Sequence, residues 1–472
     1  MSEKPKIKLA KTTLIAHGQM VIPLAVIGLP VNIYIPPFYG DTLGLDLALV
    51  GFILFAARLT DVITDPLVGR LSDLTKTRWG RRRPWVLAGV PMMMMASYLL
   101  FFPPEIVSVW YLLSSVMLIY LGFTFIVIPY GAWGAELATD YNERSRITGY
   151  REIFLLVGVM LAITAPLLSG LGETELPAGE KPKTASREAM AALGYLILVL
   201  MPICAGILFW KVKEPKPVLV RHQPFFKSVR SVLRNGPFRI ILLSTMFSAL
   251  AGSFNGALAI LFFDHVANLE PIQGQLLIFT MITMGFLGAP IWIWAAKNFQ
   301  KQKVLACAGA VSLCAFALVP VIIYWLRPIA PEAVFWAFLA TSSLQGLCIA
   351  AGPILSQSIL ADIIDLDTIK NGSQRAGFLF AFLGMIRKIF DAAGLIALPI
   401  IAYFSFDPKL TENTPESLFV VLAMYCLVPL VLWTTATYIV WQYPITPERQ
   451  ARLRAALDRR EKRQALLLAS SD

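Results

Sequence analysis

The sequence predicts an all-helical membrane protein with twelve transmembrane helices in two six-helix halves. Its 472 residues are 57% hydrophobic and only 15% charged, and the mean hydropathy of +0.66 is far above that of a soluble domain. Apolar runs of roughly eighteen or more residues, each long enough to cross a bilayer, recur along the whole chain. The polar, basic N-terminus has no cleavage site, so we expect no signal peptide to be removed.

The predicted spans are separated by short polar connections. They lie at about 12–40, 46–71, 84–103, 107–134, 150–172, 190–210, 237–264, 273–296, 303–326, 333–360, 375–404 and 417–442. Basic connections, such as the one from Arg70 to Arg83, alternate with acidic ones, such as the one that holds Asp41 and Asp46. The positive-inside rule places the basic set, and with it both termini, in the cytoplasm. This pattern predicts a multi-pass protein of the cell inner membrane.

The longest basic connection divides the chain near its middle. We predict an N-terminal half at 1–210, a cytoplasmic linker at 211–236, a C-terminal half at 237–442 and a basic cytoplasmic tail at 443–472. A weak internal repeat supports the two halves, because Pro129 followed by Glu136 recurs as Pro353 followed by Asp362. Repeated halves with a site between them are typical of secondary transporters.

Two carboxylates interrupt the second predicted span. Asp61 and Asp65 are four residues apart, so they share one face of a helix and repel each other. An ionisable residue costs roughly 3 kcal/mol or more in a membrane span and usually faces a pathway. A sodium ion, which the carbonyl oxygen freed by Pro66 could also bind, or a proton on one aspartate would relieve the repulsion. The alternative is that Arg58, one turn earlier, pairs with Asp61 as a structural salt bridge.

A dense basic loop follows the two aspartates. It combines glycines, an aspartate near a helix end and several arginines, namely Gly69, Asp73, Arg78, Gly80, Arg81 and Arg82. The loop resembles the gating loop between the second and third spans of the major facilitator superfamily. That resemblance implies that it latches the cytoplasmic side through charge pairs and helix dipoles. The alternative is that its charge only sets the topology, and one loop can do both.

Four motifs together resemble a specific family within that superfamily. They are Arg58-x-x-Asp61-x-x-x-Asp65-Pro66, Arg78-Trp79-Gly80-Arg81-Arg82-Arg83-Pro84-Trp85, Tyr150-Arg151-Glu152 and Ala361-Asp362-Ile363-Ile364-Asp365. They are similar, over the whole chain, to the melibiose-permease-like glycoside-pentoside-hexuronide:cation symporters. The resemblance implies the major facilitator fold, a cation site formed by Asp61, Asp65 and Thr124, and a coupling lysine at Lys388. The partner of Lys388 is either Asp391 or one of the two aspartates of the second span.

The residues that hold sugars in this family are replaced here. Sugar-transporting members carry an acidic residue on the first span, another on the fourth and a tryptophan that stacks on the ring. These positions are Ala25, Val127 and Gly131 in this chain, which disfavours an ordinary disaccharide. The remaining polar candidates for substrate binding or coupling are Asn32, Tyr34, Tyr130, Arg151, Glu152, Gln357 and Lys388. Interfacial anchoring or hydrogen bonding between helices is the alternative role for each.

The predicted function is therefore a sodium- or proton-coupled symporter of a glycoside, a uronide or a related small solute, working by alternating access. An uncoupled facilitator or a lysolipid-like solute carrier on the same fold is the alternative. A membrane enzyme or sensor is disfavoured, because we find no nucleophile and base constellation and no GxxxxGK[ST] phosphate loop. We expect a monomer whose partners are the solute and the lipid bilayer.

Other cofactors and partners are not predicted. The five cysteines lie in apolar segments without CxxC spacing, so neither a zinc site nor a disulfide framework is expected. The only metal expected is the transported monovalent cation, and no prosthetic cofactor is expected. The net charge of +11 comes from residues in loops rather than from a folded soluble surface, so nucleic acid is not an expected partner.

Overall fold

Helices form the regular structure of this protein. The computed structural model describes residues 9–137, 141–170, 185–214, 233–371, 376–410, 413–444 and 452. Within them, eleven helical runs are long and apolar enough to cross a membrane. A further run at the predicted eleventh span is also helical but carries Arg387, Lys388 and Asp391. The predicted fold class, an all-α membrane protein with twelve spans, is confirmed.

The described residues up to 214 contain nine α-helices. These are α1 Lys11–Gly18, α2 Val21–Ile33, α3 Ile35–Pro37, α4 Leu47–Leu59, α5 Asp61–Leu74, α6 Arg83–Phe101, α7 Val109–Glu136, α8 Tyr141–Gly170 and α9 Arg187–Lys211. Asp46, Ser108 and Ser186 cap α4, α7 and α9, since each side chain accepts a hydrogen bond from the N–H three residues later. The polar connections therefore end in residues that start the next span.

Ten further α-helices lie in the described residues after 232. They are α10 Gly236–Leu261, α11 Pro271–Asn298, α12 Lys301–Val321, α13 Arg327–Ile329, α14 Ala333–Ile349, α15 Ala351–Asn371, α16 Ala376–Ala393, α17 Ala397–Tyr403, α18 Pro415–Leu422 and α19 Val428–Trp441. Short π or 3-10 segments continue several of them. A 3-10 turn, Gly394–Ile396, joins α16 to α17, so the eleventh span is helical from 376 to 403, close to the predicted 375–404.

Two π-helical segments have the same backbone conformation. Phe38–Thr42 follows α3, and Phe262–Val266 follows α10. After each segment, the next residue donates its N–H to the carbonyl of the segment's first residue at 2.9 Å. The residue after that has a positive φ, which is +75° at Gly44 and +51° at Asn268. Because the two segments end the first and seventh predicted spans, this repeated conformation agrees with two related halves.

The chain divides into two compact units. Unit 1 comprises Met1–Leu219, Ser253–Phe279 and Ala392–Tyr425, and unit 2 comprises Val220–Gly252, Thr280–Asp391 and Cys426–Asp472. In unit 1, Gly158 lets α8 approach α2, because a β-carbon there would lie 2.6 Å from the carbonyl oxygen of Ile22. Gly51 does the same for α4 against α17, where a β-carbon would lie 2.6 Å from the β-carbon of Leu398. The predicted boundaries at 210 and 236 stay a prediction.

Unit 2 uses glycines in the same way. α11 and α14 approach each other at Gly288 and Gly346, where a β-carbon would overlap the backbone of the facing helix. The Trp292 indole N–H donates to the carbonyl of Leu347 at 2.6 Å, which fixes the same crossing. A buried apolar cluster completes the unit's core and includes Phe238, Ile241, Ile359, Ile363 and Leu379.

Candidate cation site and solute cavity

The second span is broken next to its two aspartates. α4 ends at Leu59 and α5 begins at Asp61, with Thr60 between them. The Thr60 hydroxyl donates to the carbonyl of Ala57 at 2.6 Å, which satisfies a carbonyl at the end of α4. Pro66 lies inside α5 and removes one backbone donor there. The break places Asp61 in the first turn of α5, where the helix dipole favours a carboxylate.

The predicted cation ligands lie on α5 and α7. Asp61 is only 5% exposed, and Asp65 one turn later accepts a hydrogen bond from the Thr124 hydroxyl at 2.9 Å. Thr124 is 1% exposed. Thr64, which sequence reasoning missed, has a buried hydroxyl that makes no hydrogen bond within the described part of the chain. Carboxylate and hydroxyl oxygens are the ligands that a hard cation prefers.

Arg58 connects the second span to the first. Its Nη1 donates to Oδ1 of Asn32 at 2.5 Å, and its Cζ lies 5.9 Å from the centroid of the Tyr120 ring. The Asn32 amide nitrogen donates to the carbonyl of Gly28 at 2.8 Å. Both ends of the Asn32 amide therefore make contacts inside the protein, and the residue links Arg58 to α2.

A cavity of about 300 Å³ lies among α2, α7 and α8. Of its eleven lining residues only Tyr130 and Arg151 have polar side chains. Ala25 and Val127, the positions at which the resembled sugar transporters carry acids, both line it. A β-carbon on Gly131, the third replaced position, would meet no atom within 4 Å. The space in which a sugar would need carboxylate partners is therefore apolar in this protein.

Tyr130 is held by the first span. It is 1% exposed, and its hydroxyl donates to the backbone carbonyl of His17 at 2.7 Å. The two rings stack with centroids 4.4 Å apart and an interplanar angle of 15°. A β-carbon on Gly134 would lie 2.7 Å from the imidazole of His17, so the ring packs directly on α7. The Tyr130 hydroxyl is therefore occupied, while the residue still lines the cavity.

Arg151 supplies the positive charge of the cavity. Its Cζ lies 5.4 Å from the centroid of the Tyr130 ring, and its Nε is buried without a hydrogen bond within the described residues. No carboxylate among those residues forms an ion pair with it. A cation–π contact of this kind stabilises by about 1 kcal/mol, and the half-buried residue keeps part of its surface in contact with solvent. Within the described residues, the guanidinium therefore has the Tyr130 ring as a partner and no carboxylate to balance its charge.

Two other predicted substrate residues, Tyr34 and Glu152, do not line this cavity. Tyr34 is completely buried, and its hydroxyl makes no hydrogen bond within the described chain. Glu152 follows Arg151 on α8 but is exposed. The side chain of Gln357 lies outside the described residues. Among the predicted substrate contacts of unit 1, only Tyr130 and Arg151 therefore line the cavity.

Lys388 lies on α16 in unit 2 and is half-buried. Its neighbour Arg387 pairs with Asp391, with 3.7 Å between Nε and Oδ2. Asp391, one candidate partner of Lys388, therefore contacts Arg387. The coupling role of Lys388 stays a prediction.

The predicted gating loop contains a network of charges around the buried guanidinium of Arg82. Arg82 is 4% exposed, and its guanidinium donates to the Ser72 hydroxyl at 2.6 Å and to Glu136 at 2.9 Å. It also pairs with Asp73. Arg81 reaches the same oxygen of Glu136 at 2.9 Å. Because two arginines and two carboxylates alternate in this network, each charge has a partner of opposite sign.

The other predicted loop residues, Gly69, Arg78 and Gly80, do not belong to this charge network. Gly69 faces α7, where a β-carbon would lie 3.5 Å from Cγ2 of Ile128. Arg78 is exposed, and its Cζ lies 5.6 Å from the centroid of the Trp79 ring. Gly80 has a φ of +109°, a backbone conformation that residues other than glycine rarely adopt. The loop therefore needs glycine at position 80, and Arg78 lies outside the charge network around Arg82.

Glu214 binds the backbone of the loop, a role that is not predicted from the sequence. Its carboxylate accepts the backbone N–H groups of Arg81, Arg82 and Arg83 at 2.8, 2.9 and 3.2 Å. The Arg83 guanidinium donates to two carbonyls at the C-terminal end of α9, at 2.8 and 2.6 Å. The one available signal was that Glu214 is the only acidic residue in the basic stretch 211–236.

Comparisons with known proteins agree with this architecture. A family described as MFS/sugar transport protein matches residues 16–447. The chain is 25% identical to a sodium-dependent lysophosphatidylcholine symporter 1-B of Danio rerio, over 91% of this chain and 86% of that protein. It is 24% identical to the putative glycoside/cation symporter YagG of Escherichia coli, over 87% of each.

Solved structures share the fold. A D-xylose-proton symporter superposes with a TM-score of 0.63 at 12% identity, covering 92% of this chain and 97% of its own. The nucleoside transporter NupG superposes with a TM-score of 0.61 at 12% identity, covering 92% of this chain and 100% of its own. With its helical spans, its buried polar sites and a family match over nearly its whole length, this chain belongs to the MFS/sugar transport protein family and is a secondary transporter.

Proposed function

We propose that this protein is a cation-coupled symporter in which Asp61, Asp65 and Thr124 bind the transported cation. The observation that carries the proposal is the hydrogen bond from Thr124 to Asp65, which joins α7 to the carboxylates of the second span. Two carboxylates one turn apart in a membrane span repel each other, and a sodium ion or a proton compensates that repulsion. Thr64 lies between the two aspartates in sequence. Its buried hydroxyl makes no hydrogen bond within the described residues, so its oxygen is a further candidate ligand for the cation.

α7 carries residues of both sites and offers a physical route for coupling. Thr124 contacts Asp65, while Phe123, Val127 and Tyr130 of the same helix line the cavity. A cation that changes the Thr124–Asp65 contact alters the position of the cavity wall. By linkage, the bound solute then changes the affinity for the cation by the same factor. Such reciprocal coupling lets a cation gradient drive accumulation of the solute.

The named relatives support symport but differ in their solutes. One is a sodium-dependent lysophosphatidylcholine symporter and another a putative glycoside/cation symporter. We therefore propose sodium or a proton as the coupling ion, and a glycoside, a uronide or a lysolipid-like molecule as the solute. We also propose a monomer in the inner membrane with both termini in the cytoplasm. No prosthetic group is needed for this mechanism.

The gating loop has a proposed role of its own. Arg81 and Arg82 bind Glu136 of α7, and Glu214 after α9 binds the loop's backbone. These contacts join the start of α6 to the ends of two other spans through charge-assisted hydrogen bonds, which are stronger than hydrogen bonds between neutral groups. We propose that the network holds this end of the first six spans together as a rigid body during alternating access.

Uptake into proteoliposomes tests the symport proposal. Methyl β-D-glucoside, methyl β-D-glucuronide and lysophosphatidylcholine, each radiolabelled, are offered with an inward sodium gradient, with an inward proton gradient and with neither. We expect one gradient to raise accumulation of at least one solute by about tenfold or more, the size of a typical coupling energy. Asp61→Asn and Asp65→Asn should abolish that effect.

Asp46→Asn is the matched control, because its carboxylate only caps α4 and asparagine caps equally well. Uptake that is the same with either gradient and with none would favour an uncoupled facilitator. Undiminished gradient-driven uptake by both Asp61→Asn and Asp65→Asn would remove these residues from the coupling mechanism.

A further inference from the structure

We infer that the cavity among α2, α7 and α8 takes a solute with one anionic group joined to an apolar body, and that Arg151 binds the anionic group. The inference rests on the proposed function only in taking this cavity as the solute site. It goes further by selecting one chemical class among glycosides, uronides and lipid-like molecules.

The walls of the cavity disfavour a neutral sugar. Every hydroxyl of a sugar that leaves water needs a partner, and the lining offers few. The Tyr130 hydroxyl already donates to the carbonyl of His17 at 2.7 Å. The Asn32 amide, one turn beyond the lining residue Gly28, is occupied at both ends. Within the described lining, this leaves the guanidinium of Arg151 as the polar group available to a ligand.

The geometry around Arg151 favours an anion. The guanidinium lies over the Tyr130 ring, with 5.4 Å between Cζ and the ring centroid, and no described carboxylate pairs with it. Its planar donors match the two oxygens of a carboxylate or a phosphate. An arginine in this position attracts an anion from solution and rejects a neutral isostere.

The remainder of the lining defines the rest of the solute. The rest of the cavity lining is apolar, and Val21, Leu24, Ala25, Leu29, Val127 and Leu155 are among its residues. An apolar group that moves from water into this space is stabilised in proportion to the area it buries. A small hydrophilic anion can contact Arg151 but gains little from the apolar lining. Arg151 and the apolar lining together therefore select for an anionic group and an apolar body in one molecule.

Equilibrium binding to purified protein in phosphatidylcholine nanodiscs, without any ion gradient, tests the inference. The probes are 4-phenylbutyrate, its neutral isostere 4-phenylbutyramide, acetate, methyl β-D-glucoside and 4-phenylbutyl phosphate. We expect 4-phenylbutyrate to bind at least about tenfold more tightly than the amide, acetate and the glucoside, in keeping with one charge-assisted contact and one buried apolar group. Whether the carboxylate or the phosphate probe binds more tightly identifies the anionic group, and either result supports the inference.

Arg151→Gln should weaken binding of 4-phenylbutyrate by about tenfold to a hundredfold and leave the amide unchanged. Arg151→Lys should retain most of the preference, because it keeps the charge. Arg146→Gln is the matched control, since Arg146 is on the same helix, pairs with Glu143 at 2.7 Å and does not line the cavity. Ala25→Asp provides a second variant should Arg151→Gln not fold, and it should also weaken binding of the acid by about tenfold.

Equal affinity for the acid and the amide, tighter binding of methyl β-D-glucoside, or an Arg151→Gln variant that binds the acid like the wild type would each overturn the inference. The proposed symport mechanism can fail separately. If Asp61→Asn leaves gradient-driven uptake intact while 4-phenylbutyrate still binds through Arg151, coupling is wrong and the solute class stands. If a neutral sugar binds best while uptake still depends on Asp61, the solute class is wrong and coupling stands.

Discussion

Two arginines of unit 1, Arg82 and Arg151, have opposite surroundings. Arg82 contacts Ser72 and two carboxylates, with 2.9 Å to Glu136, and it is 4% exposed. Arg151 is half-buried and has the face of Tyr130, but no carboxylate among the described residues pairs with it. Removing a buried arginine whose charge is balanced within the protein leaves its partners unpaired and destabilises the fold. One whose charge is not balanced there is suited to bind a ligand, so substitutions at the two arginines should have different effects.

The largest effect on stability is expected at the balanced site. Arg82→Gln leaves Asp73 and Glu136 without one of their cationic partners, and breaking a buried pair in this way costs about 3–5 kcal/mol. Arg81 still reaches Glu136 and Asp73 is partly exposed, so we expect about 2–3 kcal/mol, seen as a lower melting temperature. Arg78→Gln, in the exposed part of the same loop, should change stability by less than about 0.5 kcal/mol. Equal effects of both substitutions would contradict the balanced network.

A smaller loss is expected at Gly80. Gly80→Ala places a β-carbon at a φ of +109° and against the carboxylate of Glu214, which would displace the acceptor of three backbone N–H groups. Backbone strain of this kind costs about 1–2 kcal/mol. Gly206→Ala is the control, because Gly206 lies inside α9 with no atom near its β-carbon position, and alanine there should stabilise by up to about 1 kcal/mol. Melting curves of both variants distinguish the loop's requirement for glycine from a general effect of alanine.

The smallest effect on stability is expected at the unbalanced site. Arg151→Gln loses a cation–π contact of about 1 kcal/mol but also removes a half-buried charge that no carboxylate among the described residues balances. The two terms oppose each other, so the melting temperature without ligand should stay close to that of the wild type or rise. A loss as large as that of Arg82→Gln would show that Arg151 has a structural partner, and the distinction between the two arginines would then fail.

Much of the fold is predictable because a bilayer requires long apolar helices. The predicted second span at 46–71 and the eleventh at 375–404 match helices within a few residues. The fifth span was predicted to begin at 150, whereas α8 begins at Tyr141, because hydropathy marks where a helix enters the membrane rather than where its first turn forms. The π-helical segments at Phe38–Thr42 and Phe262–Val266 have no composition that distinguishes them from ordinary helix.

Some site residues are likewise predictable from the sequence, and others are not. Asp61 and Asp65 stand out because charge is rare in an apolar run. Thr124 is predicted from the resemblance to a known family, and in the structure its hydroxyl donates a hydrogen bond to Asp65. Ala25 and Val127 were identified as replaced positions and do line the cavity. The binding of three N–H groups by Glu214 depends on the path of a loop with a positive φ, and the stacking of His17 on Tyr130 depends on how two spans cross. Neither is encoded in the spacing of residues along one helix.

The most direct measurement of the cation site is the melting temperature of purified protein as sodium replaces choline and as the pH is changed, without any solute. A ligand that binds only the folded state raises this temperature according to its occupancy. The wild type is predicted to respond to sodium or to protons, Asp61→Asn and Asp65→Asn to lose that response, and Asp46→Asn to keep it. The same response in all four proteins would contradict a cation site at these two aspartates.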